Sequence, residues 1–167
     1  LWASQWFDKG NELSRAGDLA GALDAFRHSA RQNPRSAAPW IGLAQVLDAN
    51  AQFEDARECL RQAVRANPSH QIARLNLAHA HRNLGDFVNA ESEYAAVLRL
   101  HRTPAAAHFG LGQMFEDLGD PNAAARSYRA AIDNDPECHD ALACLLGLGR
   151  HLDISREVEL AQRALET

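Results

Sequence analysis

Residues 37–70 read AAPWIGLAQVLDANAQFEDARECLRQAVRANPSH, a stretch whose pattern returns at a fixed spacing along the chain and decides the fold. An alanine recurs every 34 residues, at Ala22, Ala56, Ala90 and Ala124. Four residues after each alanine stands an aromatic residue or a leucine, at Phe26, Leu60, Tyr94 and Tyr128. A repeat of about this length is typical of a helix-turn-helix unit that cannot bury its apolar face alone and therefore stacks on its neighbours.

Other columns keep the same spacing. Trp6 and Trp40 are one period apart, and so are Pro34 and Pro68. Small residues recur at Gly10, Ala44, Ala78 and Gly112, and leucines recur at Leu43, Leu77 and Leu111. With these columns the chain resembles the tetratricopeptide repeat (TPR) family, whose pattern is W-x2-L-G-x2-Y, then A-x3-F, then A and P.

The resemblance implies an all-α fold, a right-handed superhelical solenoid of antiparallel helix pairs that spans residues 1–167 as a single domain. The predicted repeats are 3–36, 37–70, 71–104 and 105–138, followed by a degenerate fifth repeat and a capping helix in 139–167. The period predicts ten helices, the last over 153–166. It also predicts an irregular turn near His101–Pro104, because the proline that should end the third repeat is displaced there.

The size of each column residue follows from its place in a helix pair. The small residue and the recurring alanine lie where two antiparallel helices cross, and bulk there would push the axes beyond about 8–10 Å. The aromatic or leucine column lies one helical turn after that alanine, where it can fill the space between consecutive repeats. Both columns are therefore predicted to be buried.

Glycine and proline predict where the helices end. Proline removes an amide donor and biases the residue before it away from helix, so three dipeptides are predicted turns between repeats. These are Asn33-Pro34, Asn67-Pro68 and Asp135-Pro136. A glycine C-cap followed by an aspartate N-cap predicts the tight turn inside a pair. Such turns stand at Gly17-Asp18, Gly85-Asp86 and Gly119-Asp120-Pro121.

Composition excludes several classes of function. The net charge is −5 and no basic stripe is present, which argues against a nucleic-acid ligand. No apolar run approaches the roughly 18 residues of a membrane span, so the segment is predicted to be soluble and cytoplasmic, without a membrane partner. Sixteen arginines against a single lysine, Lys9, suggest a bacterial source.

The sequence also predicts neither a metal, nor a cofactor, nor a catalytic centre. Cys59, Cys138 and Cys144 lack a CxxC spacing, and no two of the eight histidines stand four residues apart on a helix. No nucleophile with a base, phosphate loop or paired carboxylates can be recognised. This segment is therefore predicted not to be an enzyme.

The resemblance implies a binding groove along the first helices, where the second, fifth, sixth, ninth, twelfth and thirteenth positions of each repeat face a ligand. The fifth positions hold Phe7, Ile41, Leu75 and Phe109, and the ninth positions hold Asn11, Gln45, His79 and Gln113. Neighbouring positions add Asn76 and Arg82, with a mixed-charge rim of Arg15, Asp48, Glu116 and Asp117. An apolar group beside an amide or imidazole suits the side chains and backbone of an extended peptide. The alternatives are that Ile41 and Leu75 pack in the core, and that the polar column is a solvated face.

The predicted function is a non-catalytic module that binds a protein or peptide segment in this groove. In some family members a carboxylate clamp of Lys, Asn, Asn, Lys and Arg holds an acidic chaperone tail. The matching residues here are Phe7, Asn11, Gly42, Ile72 and Asn76, so all three cations are missing.

Two alternatives stay open. One is a substrate-presenting arm of a larger bacterial enzyme, such as a glycosyltransferase or sulfotransferase. The other is a scaffold that self-associates through an N-terminal edge with Trp2 and Trp6.

Overall fold

The computed structural model of the chain describes residues 1–100 and 105–149. Within these ranges it contains nine helices and no strand. They are α1 (Ala3–Arg15), α2 (Leu19–Gln32), α3 (Ala37–Ala49), α4 (Phe53–Ala66), α5 (Gln71–Asn83), α6 (Phe87–Leu100), α7 (Ala105–Asp117), α8 (Pro121–Asn134) and α9 (His139–Gly149). The predicted tenth helix over 153–166 and the predicted irregular turn near His101–Pro104 lie outside the described residues.

Aspartate caps start the second helix of a pair, as the turn pattern predicts. The Asp18 carboxylate accepts a hydrogen bond from the backbone N–H of Gly21 at 2.9 Å. Asp120 accepts one from Ala123 at the same distance, and Pro121 is the first residue of α8. Each cap satisfies a backbone N–H that has no partner inside the helix.

Proline turns end the second helices where predicted. α2 ends at Gln32, directly before Asn33-Pro34, and α4 ends at Ala66, directly before Asn67-Pro68. Asn33 and Asn67 have ψ angles of 77° and 94°, outside the helical region, as a residue before proline requires.

One turn between the helices of a pair has a strained backbone. Gly17, Gly85 and Gly119 have φ angles of 82°, 74° and 72°, a conformation that glycine adopts without steric cost. At the same register position the second repeat has Ala51, with φ 57°. Its Cβ therefore lies close to a carbonyl oxygen, which costs roughly 1–2 kcal/mol for an L-residue.

Ala51→Gly is expected to raise the free energy of unfolding by about 0.5–1 kcal/mol, because relief of this strain exceeds the added freedom of the unfolded chain. Ala49→Gly is the matched control. Ala49 is exposed and helical at the end of α3, so its replacement should lower stability by about the same amount. Urea unfolding of both variants checks the signs, and a loss of stability in Ala51→Gly would contradict the account.

The residues separate into two compact units, Leu1–Asp86 (unit 1) and Phe87–Thr167 (unit 2). In unit 1, α1 packs against α2 and α3 against α4, while α2 and α4 also contact the first helix of the next pair, α3 and α5. One buried cluster joins Ala22, Phe26, Leu43 and Val46. A second centres on Ala44, Leu47, Ala56, Leu60, Ala63, Ala73 and Leu77. The predicted columns thus form the core of this unit.

In unit 2, α7 packs against α8, and α6 and α9 flank this pair by contacting α7 and α8 respectively. Its core contains Ala124, Tyr128, Ala131, Ile132, Ala141 and Leu145. The prediction that residues 1–167 form a single domain stays a prediction.

Aromatic rings of the second helices pack closely against first helices, as predicted. Phe26 is 2% exposed and lies between α1 and α3, where a methyl group on either Gly10 or Gly42 would stand 2.7 Å from its ring. In unit 2 a Cβ on Gly110 would overlap the ring of Tyr94. Each ring is thus matched by a glycine on the helix that it meets.

Candidate functional site

A cleft of about 250 Å³ opens between α3 and α5 in unit 1, and α4 forms its floor. It is lined by Ala44, Gln45 and Asp48 from α3, Ala56 and Leu60 from α4, and Asn76, His79, Ala80 and Asn83 from α5. We call this set of nine residues the cleft. It is smaller than most pockets for whole cofactors and has room for a single side chain or a fragment of that size.

The cleft has an apolar floor and a polar rim. Ala56 and Leu60 on the floor are 2% and 5% exposed. The amide side chains of Gln45, Asn76 and Asn83 make no hydrogen bond within the described part of the chain, so they are available to a ligand. Amides donate and accept, which is the pairing that a peptide backbone requires.

The structure brings together three of the predicted groove residues, Gln45, Asn76 and His79, in this cleft. Ile41 was predicted either to face a ligand or to pack in the core. It is only 9% exposed and belongs to the core of unit 1, so the structure shows that it packs in the core. Leu75 is half-buried. The burial of Ile41 removes one apolar group from the surface that a ligand could reach.

The other predicted groove residues lie outside the cleft. In unit 1, Phe7 is half-buried with its ring centroid 5.7 Å from that of Phe26, and Asn11 and Arg82 are also half-buried. In unit 2, Phe109 packs against Tyr128 at 5.7 Å, with a half-buried Gln113 one turn further along α7. The two phenylalanines are therefore partly buried residues that pack against the core clusters of their units.

Sequence reasoning missed Ala80 and Asn83 as cleft residues. Asn83 occupies the thirteenth repeat position, which the family pattern assigns to the groove, and could have been included on that ground. Ala80 gives no such signal, because its contribution is the absence of a larger side chain.

His79 stays neutral to lower pH than an ordinary histidine. Burial lowers its pKa by disfavouring the charged imidazolium, and the positive charge of Arg82 lowers it further. His79 therefore gains a proton only below the ordinary histidine pKa of about 6.5.

This lowered pKa predicts a pH effect on stability. As the pH falls below about 6.5, the unfolded chain takes up a proton that the folded His79 resists, so the free energy of unfolding decreases. His79→Gln, which introduces the residue found at Gln45 and Gln113, should lose less stability between pH 7.5 and 5.5 than wild type. Urea unfolding at both pH values measures the difference, and equal losses would rule out this role of His79.

Other titratable groups give no sign of a reactive centre. Burial raises the pKa of the Cys59 thiol to about 11, and burial also raises the pKa of Cys144. Tyr128 donates a hydrogen bond to the Glu116 carboxylate, and its burial raises its pKa. At neutral pH both thiols and the phenol therefore keep their protons, which makes them poor nucleophiles.

No group of histidine, cysteine, aspartate and glutamate side chains stands close enough to hold a metal ion in residues 1–100 and 105–149. Across the same ranges, every helix is too short or too polar to traverse a bilayer.

Comparison with known protein families gives a match to the tetratricopeptide repeat model in four overlapping segments, residues 7–51, 41–103, 76–137 and 109–166. Among curated proteins no relative matches the sequence.

Solved structures share the fold at low sequence identity. A MamA protein is 18% identical, with 98% of this chain and 88% of that chain covered and a TM-score of 0.75. PilF of Pseudomonas aeruginosa is 13% identical, with coverages of 98% and 75% and a TM-score of 0.81. YrrB, described as a TPR protein with an unusual peptide-binding site, is 17% identical, with coverages of 96% and 82% and a TM-score of 0.69. These likenesses show an all-α solenoid of helix pairs and do not show a ligand.

Proposed function

The chain belongs to the tetratricopeptide repeat family, and from this premise we propose that unit 1 is a non-catalytic module that binds an extended peptide segment of a partner protein. The fold is that of protein-interaction modules and is typically non-catalytic. The peptide backbone runs across the cleft between α3 and α5, and the groove residues hold it there.

One observation carries this proposal. Gln45 and Asn76 come from different helices, line the same cleft and keep their amide groups free of hydrogen bonds within the described residues. Two amides on opposite walls can each bond a backbone N–H and a backbone C=O of a peptide that lies between them. The apolar floor below them offers burial to a side chain.

The paired variant Gln45→Ala with Asn76→Ala is expected to weaken peptide binding without unfolding the chain. Each lost hydrogen bond should cost about 0.5–1.5 kcal/mol of binding free energy. Fluorescence anisotropy with a peptide selected from a random displayed library measures the loss, and circular dichroism checks the fold.

The matched control is Gln62→Ala, which removes an amide from α4 that bonds Glu58 at 2.8 Å and lies outside the cleft. It should leave the affinity unchanged. If the control weakens binding as much as the paired variant, the peptide lies on the second helices and the groove proposal fails.

Self-association is a second candidate, favoured by the apolar side chains near the start of α1. Leu1 is 64% and Trp2 is 80% exposed, whereas Trp6 is half-buried and stacks on His28 with centroids 4.5 Å apart. Exposed aromatic surface of this kind can drive association. Sedimentation over a concentration series tests it, with Trp2→Ser as the variant expected to shift the chain towards monomer.

A further inference from the structure

The cleft stands where the preceding interface of unit 1 is filled with side chains. Between α1 and α3 the space is occupied by Phe26 from α2 and Val46 from α3, each 2% exposed and joined in one buried cluster. One period later along the chain, the same two positions hold Leu60 and Ala80. Both residues of the pair are smaller, and the space that they leave is the cleft.

Unit 2 has larger residues at both register positions. Its residues at these two register positions are Tyr94, 0% exposed, and Met114, 1% exposed. Both side chains are larger than their counterparts Leu60 and Ala80, as Phe26 and Val46 are in the preceding repeat. The open space comes from two reduced side chains on different helices, α4 and α5.

A third residue at this interface also differs from its counterparts in the other repeats. Two rings meet a glycine at one position of the next first helix, Gly42 for Phe26 and Gly110 for Tyr94, whereas the residue at this position after Tyr128 is Cys144. At the cleft the corresponding residue is Asn76. Its side chain takes the room that a ring from α4 would need and places an amide on the wall.

The size and surface of the space match an aromatic side chain. A cavity of about 150 Å³ is enough to hold benzene, and the cleft has about 250 Å³. Ala44, Ala56, Leu60 and Ala80 give the cleft its apolar surface, and polar groups complete the lining, from Gln45, Asp48, Asn76, His79 and Asn83. A phenyl ring from outside would contact these four apolar side chains, with hydrogen-bonding groups beside it.

We infer that the cleft is a pocket for one aromatic side chain of the bound peptide, which restores the packing that Leu60 and Ala80 leave incomplete. The inference rests on the proposed peptide-binding function and adds the class of ligand residue to it. The ring packs on Leu60 and Ala80, while Gln45 and Asn76 bond the backbone on either side of the ring. An aromatic anchor in a desolvated pocket is the usual source of most binding energy at such a surface.

The test uses the wild-type chain to select binders from a random peptide library displayed on phage. Affinities of the selected peptides are then measured for wild type, Ala80→Met and Ala20→Met. Ala80→Met introduces the side chain that unit 2 has at this position, Met114, and fills the cleft from α5. Ala20→Met is the matched control, because Ala20 is exposed on α2 and lies outside the cleft. Ala80→Val, which imitates Val46, serves if the methionine variant does not fold.

The selected peptides should share one aromatic residue. Replacing that residue by alanine should weaken binding at least about tenfold, and so should Ala80→Met, while Ala20→Met has no effect. Peptides that lose affinity with Gln45→Ala and Asn76→Ala but not with Ala80→Met would overturn the pocket and leave the groove intact. Peptides unaffected by all of these changes would overturn both. A change in oligomeric state with Ala80→Met would assign the cleft to a second copy of the chain and also overturn the pocket.

Discussion

Phe26→Ala is expected to lower the free energy of unfolding by about 3–5 kcal/mol, the largest loss of any single change considered for this chain. The ring is 2% exposed and lies between two helices, against Gly10 on one side and Gly42 on the other. Neither glycine has a side chain that could move into the vacated space. The loss therefore combines the burial of the ring with the cost of a cavity that cannot collapse.

Phe53→Ala makes the matched comparison, since Phe53 is 42% exposed at the start of α4. Its loss should stay below about 1 kcal/mol, as for other surface positions. Urea unfolding of both variants measures the two free energies. If the two variants lose similar amounts of unfolding free energy, the buried rings at the position of Phe26 do not stabilise the packing of consecutive repeats.

Gly110→Ala is expected to destabilise the chain by about 1–3 kcal/mol, although alanine favours helix over glycine. The added methyl group would overlap the ring of Tyr94, which is fully buried and has no room to retreat. Gly147→Ala in α9 is the control, because a Cβ there meets open space. It should stabilise the chain by about 0.5–1 kcal/mol.

A double-mutant cycle separates overlap from any other effect of the Gly110 change. Tyr94→Leu imitates Leu60, which tolerates Asn76 at the position of Gly110 in its own interface. Gly110→Ala should therefore cost clearly less in the Tyr94→Leu background than in wild type. If the stability losses of Tyr94→Leu and Gly110→Ala are additive in thermal unfolding, the Tyr94 ring does not limit the size of the residue at position 110.

The regular period of the sequence was sufficient to predict the helix pairs, their caps and their buried columns. This success has a physical reason. Two packed helices leave a fixed distance at their crossing, so the size of a residue such as Gly10 or Ala22 is tied to its place in the repeat. The turn residues depend on position in the same way. Asp18 accepts a hydrogen bond from a backbone N–H at the start of a helix, and Pro34 ends a helix because it has no N–H to donate.

The cleft was harder to predict because it depends on two residues of different helices at once. In the sequence pattern, Leu60 stands at the position of Phe26 and counts as equivalent to it. The smaller size of Leu60 leaves open space because Ala80 is also smaller than its counterpart, Val46. Spacing along one helix also cannot tell whether a neighbouring helix covers a side chain. Ile41 therefore has the same pattern as an accessible residue but is buried. The lowered pKa of His79 follows from burial and Arg82, which the sequence does not reveal.

The most direct test of the account is to map, by ¹H–¹⁵N chemical shifts, where a library-selected peptide contacts the chain. The account predicts that the largest changes appear at Gln45 on α3 and at Asn76 and Ala80 on α5, with the outer surfaces of α2 and α4 unchanged. The largest changes on α2 and α4, with α3 and α5 unaffected, would contradict it.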